Sequence, residues 1–204
     1  MRYRFLDIGT SNFGTSIEAA YRAGDLGILV EPIKKYLDAL PNHPGTTKVN
    51  AAVSNYSGKG VMHATVNNIK KPEYIAQDWH AIKDPNLRSE TGKGGCNKLN
   101  APHGYASRAG WVQEEIECDV ITFYDLCADY QIDSVDFLKV DTEGHDGIIL
   151  EQVADLIESN KLTINRAITY ECKISTELIQ KISAAGFSLK AEKENMKFVY
   201  VGPS

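Results

Sequence analysis

The chain has 204 residues, 43% of them apolar, and a formal charge of −5 at pH 7. That length can bury a full α/β core, and the acidic balance argues against a dedicated nucleic-acid binder. No apolar run approaches a membrane span. The four cysteines (Cys96, Cys118, Cys127 and Cys172) are scattered without a C-x-x-C pair, which points to a reduced, cytoplasmic protein rather than a disulfide scaffold.

The chain enters its first predicted strand almost at once, leaving no room for the apolar region of a signal peptide. That strand, Arg4-Phe5-Leu6-Asp7-Ile8, ends at Gly9, and a polar turn follows, Thr10-Ser11-Asn12-Phe13-Gly14. A helix is expected over 13–24, with Ile17, Ala20 and Tyr21 on one face and Gly24 as its stop. Strand, glycine turn and helix open a nucleotide-type α/β site. The spacing is not that of a pyrophosphate loop: Gly9 and Gly14 are five apart, and position 11 is serine. A carboxylate at Asp7 would also repel a phosphate from the turn. A cationic cofactor fits better, and S-adenosylmethionine carries an ammonium and a sulfonium. Leu26–Val30 then reads as a buried strand ending in Glu31. Pro32 suits the first position of a helix. Glu31 lies 22 residues after Gly9, close to the interval of about 20 at which an acid meets ribose hydroxyls on the neighbouring strand. The candidate cofactor edge is thus Asp7, Gly9, Thr10, Ser11, Asn12, Glu31 and Pro32.

A short helix is expected over 33–40, a turn at Pro41–Gly45, a third strand over Lys48–Ser54, and another strand over Val61–Val66. Residues 67–110 lack a sustained apolar period. They hold seven Lys/Arg (Lys70, Lys71, Lys83, Arg88, Lys93, Lys98, Arg108) against four acids, a balance of +3 that leaves −8 for the rest. A segment of this length within one domain (1–204) reads as a lid or binding loop, with an interface or a plain surface loop as the alternative. His80 and His103 could touch an acceptor there, and Trp79, Tyr105 and Trp111 could stack on it.

Glu115–Ile121 looks like a strand, and Thr122 caps a helix with Phe123, Leu126, Cys127 and Tyr130 on its face. Val135–Val140 is a core strand delivering Asp141-Thr142-Glu143-Gly144-His145-Asp146. A helix with Ile149, Val153, Leu156 and Ile157 follows. Arg166–Tyr170 ends at Glu171. Ser175 caps a helix carrying Leu178, Ile179, Ile182 and Ala185, stopped by Gly186. Phe187–Ala191 and Met196–Val201 close the chain as a hairpin. Repeated β–α units imply an α/β, Rossmann-like fold: a mostly parallel sheet with helices on both faces and an antiparallel strand at one edge.

Four strings carry a family resemblance: Asp7-Ile8-Gly9, Val30-Glu31-Pro32, Val49-Asn50-Ala51-Ala52-Val53-Ser54, and above all Phe137-Leu138-Lys139-Val140-Asp141-Thr142-Glu143-Gly144. Together they resemble the FkbM-type methyltransferases, from about residue 5 to Glu171. The resemblance implies a class I fold with a seven-stranded sheet and S-adenosylmethionine as methyl donor. It also implies methyl transfer to an oxygen of a sugar or another small metabolite, and it adds Ala52 and Asp141 to the cofactor edge. This chain departs from the usual Gly-Ala-Asn-x-Gly turn, and it has almost nothing before Asp7.

Methyl transfer from a sulfonium is an in-line displacement, so alignment is its main demand. An alcohol acceptor must also lose a proton. Asp141, His145 and Glu171 are the candidate catalytic residues. Asp141 and Glu171 end neighbouring strands, and His145 has a suitable intrinsic pKa. Glu143 could instead cap the following helix, and His145 could be a solvated loop residue. The pattern requires no metal, though Asp141 and Glu171 could hold a divalent cation. The expected partner is a small acceptor, anionic or sugar-containing. An RNA-modifying enzyme and a non-catalytic cofactor-binding module are the rival readings.

Overall fold

A computed structural model describes residues 1–10, 25–40, 42–70, 98–102, 111–171, 174–193 and 196–201. The expectations placed on Ser11, Asn12, the helix over 13–24, Cys96, Cys172, His80, His103, Trp79, Tyr105 and most of 67–110 lie outside the described residues.

The chain is a mixed α/β protein whose main sheet is largely parallel. In chain order the elements are β1 (Arg2–Ile8), β2 (Gly27–Val30), α1 (Lys34–Ala39), β3 (Thr46–Val49), β4 (Ala52–Ser54), β5 (Gly58–Lys70), β6 (Lys98–Leu99) and β7 (Trp111–Thr122). There follow α2 (Phe123–Asp129), β8 (Ser134–Val140), α3 (Asp146–Glu158), β9 (Thr163–Tyr170), α4 (Thr176–Ala184), β10 (Phe187–Lys193) and β11 (Met196–Val201). The main sheet runs β10-β11-β9-β8-β1-β2-β3. β11 is antiparallel to both β9 and β10, so the antiparallel strand lies one place in from the edge rather than at it.

The helix caps follow from local chemistry. The Thr122 hydroxyl accepts from the Asp125 N–H at 3.0 Å, and the Ser175 hydroxyl accepts from the Leu178 N–H at 3.1 Å. Gly186, at φ +89°, takes the chain out of α4. Pro32 does not open α1, which begins at Lys34. The Glu31 side chain takes the Ile33 N–H at 2.9 Å, and that turn delays the helix. Ile179, expected on the apolar face of α4, is exposed.

Alternate residues of β1 face opposite ways. Leu6 and Ile8 join the larger core with Leu126 of α2, Ile149 and Val153 of α3, and Leu178 of α4. Phe5 packs with Leu29 and with Leu37 of α1 on the other face. Gly27 is required there, because a Cβ would stand 2.1 Å from the Phe5 ring. Cys118 and Cys127 are free and buried, and burial pushes their thiols up to about 11 and about 12. Among the described residues no helix is long and apolar enough to cross a membrane.

The largest departure from the sequence reading is a second sheet, β4-β7-β5-β6. Lys48–Ser54 is not one strand. β3 pairs parallel with β2, while β4 pairs parallel with β7. The break falls at Asn50, whose side-chain amide donates to the carbonyls of Glu31 and Pro32, both at 2.9 Å. Part of the expected insertion is strand as well. Residues 67–70 complete β5, and Lys98–Leu99 pair with Met62 and His63. Helix α1 lays Tyr36 against this sheet, with Ala52, Met62, Ala64, Leu99, Cys118 and Val120.

Candidate functional site

Strand register builds the site. Ile8 stands opposite both Val30 and Val140, Val30 opposite Val49, and Val140 opposite Tyr170. Five strands therefore reach the same level at their carboxyl ends. The next residue of each forms a row: Asn50, Glu31, Gly9, Asp141, Glu171. Backbone bonds extend the row by one step, from Gly9 N to Val30 O (2.9 Å), Glu31 N to Val49 O (3.0 Å) and Asp141 N to Ile8 O (2.9 Å). The carboxyl edge of a parallel sheet is where α/β proteins place ligands.

Gly9 is the bare centre of the row. Its φ is +81°, and a Cβ there would stand 1.9 Å from the Asp141 carbonyl oxygen. No other residue can keep both the left-handed turn and this approach. The first two amides after β1 are not offered to an anion: the N–H groups of Gly9 and Thr10 both point back to Val30 O, at 2.9 and 3.3 Å. Thr10 is buried. On one side of Gly9, Glu31 is nearly buried at the mouth of β2, and Ala52 lies further along in the core of the second sheet.

Asp7 lies below this row. It is fully buried, and it pairs in register with Lys139. Lys139 was not singled out from the sequence. Its ammonium lies 3.4 Å from Asp7 Oδ1 and 3.1 Å from Asp141 Oδ2. Burial pushes the Lys139 pKa down, but the two carboxylates outweigh it and hold the group above the usual lysine range. A signal for the pair existed in the sequence: Asp7 stands two residues before Gly9, and Lys139 two before Asp141, so the two strands offer opposite charges at equal depth.

On the other side of Gly9, the Asp141 and Glu171 carboxyls stand close together, an oxygen of each within 4.8 Å of the other. Burial, then the neighbouring Asp141, pushes the Glu171 carboxyl up to about 7, with Glu143 and Asp146 adding to the effect. A carboxyl so placed exchanges its proton near neutral pH. Asp141, Glu143 and Glu171 each bring an oxygen within 4.8 Å of the others, a spacing that could hold a divalent cation.

His145 is on the same loop but has different neighbours. It is the N-cap residue of α3 without a capping side-chain bond. Burial, then the Lys98 ammonium, holds its pKa below the usual histidine range, against the pull of Asp146. It is neutral at pH 7, and among the described residues its buried Nδ1 has no hydrogen-bond partner. Glu143 sits at φ +53° in the turn before α3, whose N-cap position is His145. The carboxylate that organises the loop is Asp146, which receives the Thr142 N–H and hydroxyl and the Glu171 N–H. Sequence reasoning passed over it because its partners include a residue 25 positions away.

Lys98 is the one basic residue of the 67–110 segment with a described side chain near this loop. It lies beside Gly144, where an added Cβ would stand 3.8 Å from its ammonium nitrogen.

The methyltransferase FkbM domain matches residues 7–189, a span that includes the whole row of strand ends. No curated protein and no solved structure matches the chain. With the motif strings standing at the ends of β1, β2 and β8, and the match covering most of the 204 residues, the chain belongs to the FkbM methyltransferase family.

Proposed function

We propose that the chain transfers a methyl group from S-adenosylmethionine to a hydroxyl of a sugar or other small metabolite in the cytoplasm. The observation that carries this is the row of strand ends, with Glu31 on one side of Gly9 and the Asp141–Glu171 pair on the other. One side offers an acid to ribose hydroxyls; the other offers a carboxyl that gains and loses a proton near pH 7. The residues fit a cofactor without phosphates, since the first amides of the turn are taken up by Val30. Gly9, Thr10, Glu31, Pro32 and Asp141 would hold it, with Ser11, Asn12 and Ala52 as further candidates. The cofactor supplies the electrophilic methyl group. Asp7 contributes through Lys139 rather than by facing a ligand.

Glu171 is the favoured base, with Asp141 beside it. His145, neutral and half-buried, orients the acceptor or serves as the base in its place. The 67–110 segment covers the acceptor side. The position of Lys98 against Gly144 supports that reading, and it favours an acceptor that carries an anionic group. The Asp141–Glu143–Glu171 cluster supports a second route, in which a divalent cation lowers the acceptor pKa. Chelator sensitivity reversed by magnesium selects that route, and unchanged turnover in chelator selects the protein base.

A labelled-methyl screen against sugars, glycolipids, small phenols and RNA tests the function. Transfer to a hydroxylated small molecule is the expected result. Salt-sensitive transfer to RNA would replace it with the RNA-modifying reading. Tight cofactor binding without transfer to any acceptor would leave a binding module. By calorimetry, Glu31→Ala should weaken S-adenosylmethionine binding by about 1–3 kcal/mol, the worth of a charged hydrogen bond. An unchanged affinity would remove Glu31 from the cofactor edge.

A further inference from the structure

We infer that Asp146 is a positioning residue that fixes the separation of Asp141 and Glu171 by tying together the two chain segments that carry them. The inference rests on the reading of those two carboxyls as the proton-handling pair.

The last ladder partners of β8 and β9 are Val140 and Tyr170. Past that row the two strands no longer share sheet hydrogen bonds, yet the reactive carboxyls lie just there. Asp146 takes over from the ladder. Its Oδ1 accepts the Thr142 N–H at 2.9 Å and the Thr142 hydroxyl at 2.7 Å. Its Oδ2 accepts the Glu171 N–H at 3.0 Å. Thr142 follows Asp141 directly, and the Glu171 amide belongs to the reactive residue itself. One side chain therefore grips the backbone on both sides of the pair. Asp146 is fully buried, so these bonds do not compete with water.

The chemistry requires a carboxylate. Both oxygens face backbone N–H donors, and an amide side chain has only one acceptor oxygen. In Asp146→Asn the NH₂ group must meet either the Thr142 N–H or the Glu171 N–H, donor against donor. Shape is kept while one grip is lost. Asp146 stands in the first turn of α3, where a carboxylate also complements the helix dipole. These three bonds leave the helix for the two loops, so the role of Asp146 extends beyond α3.

The test is a double-mutant cycle on the full chain, reading single-turnover methyl transfer at saturating cofactor. Asp146→Asn should lower the rate about 10²-fold, the scale of a misplacement near 1 Å, with little change in cofactor affinity. In a Glu171→Gln background the same substitution should cost little more, because the pair it serves is already broken. Full additivity of the two losses would overturn the inference and make Asp146 a stability residue only. If Asp146→Asn fails to fold, Thr142→Ala removes one of the three bonds and replaces it in the cycle, with a smaller loss and the same non-additivity expected. Hydrogen exchange at the Glu171 amide adds a readout without turnover: it should accelerate in Asp146→Asn, and an unchanged rate refutes the grip. A wild-type chain with no transferase activity but a protected Glu171 amide would sink the catalytic reading while leaving the grip intact.

Discussion

Asp136 and Asp141 belong to the same stretch of chain, one near each end of β8, and their surroundings are opposite. Asp136 is buried among donors. Arg2 reaches it at 2.8 Å, Arg4 at 2.7 Å and the Asn165 amide at 3.0 Å. Burial alone would raise its pKa, but the two guanidiniums and the amide bring it below the usual aspartate range. Arg4 also lies 5.0 Å from the centre of the Phe137 ring. At the carboxyl end, Asp141 meets one buried ammonium, from Lys139, and otherwise faces acids: Glu171, with Glu143 and Asp146 close by. The amino end sets two guanidiniums around its buried carboxylate, whereas the carboxyl end gathers several acids around one buried ammonium. Acids gathered at strand ends perturb one another's titration, which is the pattern expected of a functional edge and supports the proposed placing of the reaction there.

The largest expected effect separates the two ends by activity. Glu171→Gln and Asp141→Asn should each reduce turnover on the order of 10²–10⁴-fold, the usual worth of a positioned base, while cofactor affinity moves far less. Asp136→Asn should leave turnover unchanged at temperatures well below its unfolding transition. Steady-state kinetics with separate cofactor titrations checks all three. Full activity in both carboxyl-end variants would leave His145 or alignment alone to carry the reaction.

A smaller effect separates the ends by stability. Asp136→Ala leaves Arg2 and Arg4 without their shared acceptor and should cost about 1–3 kcal/mol in urea unfolding, as for hydrogen bonds to a charged group. Glu171→Gln should be neutral or stabilising at pH 8, since it removes a carboxylate held among acids. If Asp136→Ala and Glu171→Gln destabilise equally, the contrast between the two ends fails.

The sequence showed one end of the sheet far better than the other. Strand ends at Gly9, Glu31, Asp141 and Glu171 were legible because each follows an apolar run, and parallel strands must bring such ends together. The capping residues Thr122 and Ser175 were legible because their chemistry is local. The second sheet was not. Ala51-Ala52-Val53 continues the apolar run of β3 without a breaker except Asn50, and the change of sheet depends on that side chain finding Glu31 and Pro32. The long antiparallel pair of β5 and β7 carries Glu114, Glu115 and Glu117 among its apolar residues, so its length was hidden. Asp146, Lys139 and the Asp136 cluster were missed for a shared reason. Each has a partner 25 to 134 residues away, and only the equal depth of Asp7 and Lys139 before their strand ends leaves a trace of such a contact in the sequence.

The smallest expected effect is on pH dependence, and its sign differs between the two ends. The Glu171 carboxyl has its pKa raised from 4.5 to about 7. The folded protein therefore binds a proton there more tightly than the unfolded chain does. That contribution to stability is present below pH 4.5 and is lost as pH rises to about 7. Asp136 has its pKa lowered from 3.8, so its contribution is present above that value and is lost as pH falls through the lowered folded-state pKa. Glu171 is partly open to solvent, which reduces the size of its term. As a base it must be ionised, so turnover should climb through about pH 7 and level off above it, just where its stability term has gone. A pH–rate profile beside urea midpoints at each pH reads both. Glu171→Gln should abolish the rise in rate and flatten the stability curve between pH 4.5 and 7, while Asp136→Asn should alter only the acid limb. A rate profile that keeps its midpoint in Glu171→Gln would move the titrating base to another residue, His145 first.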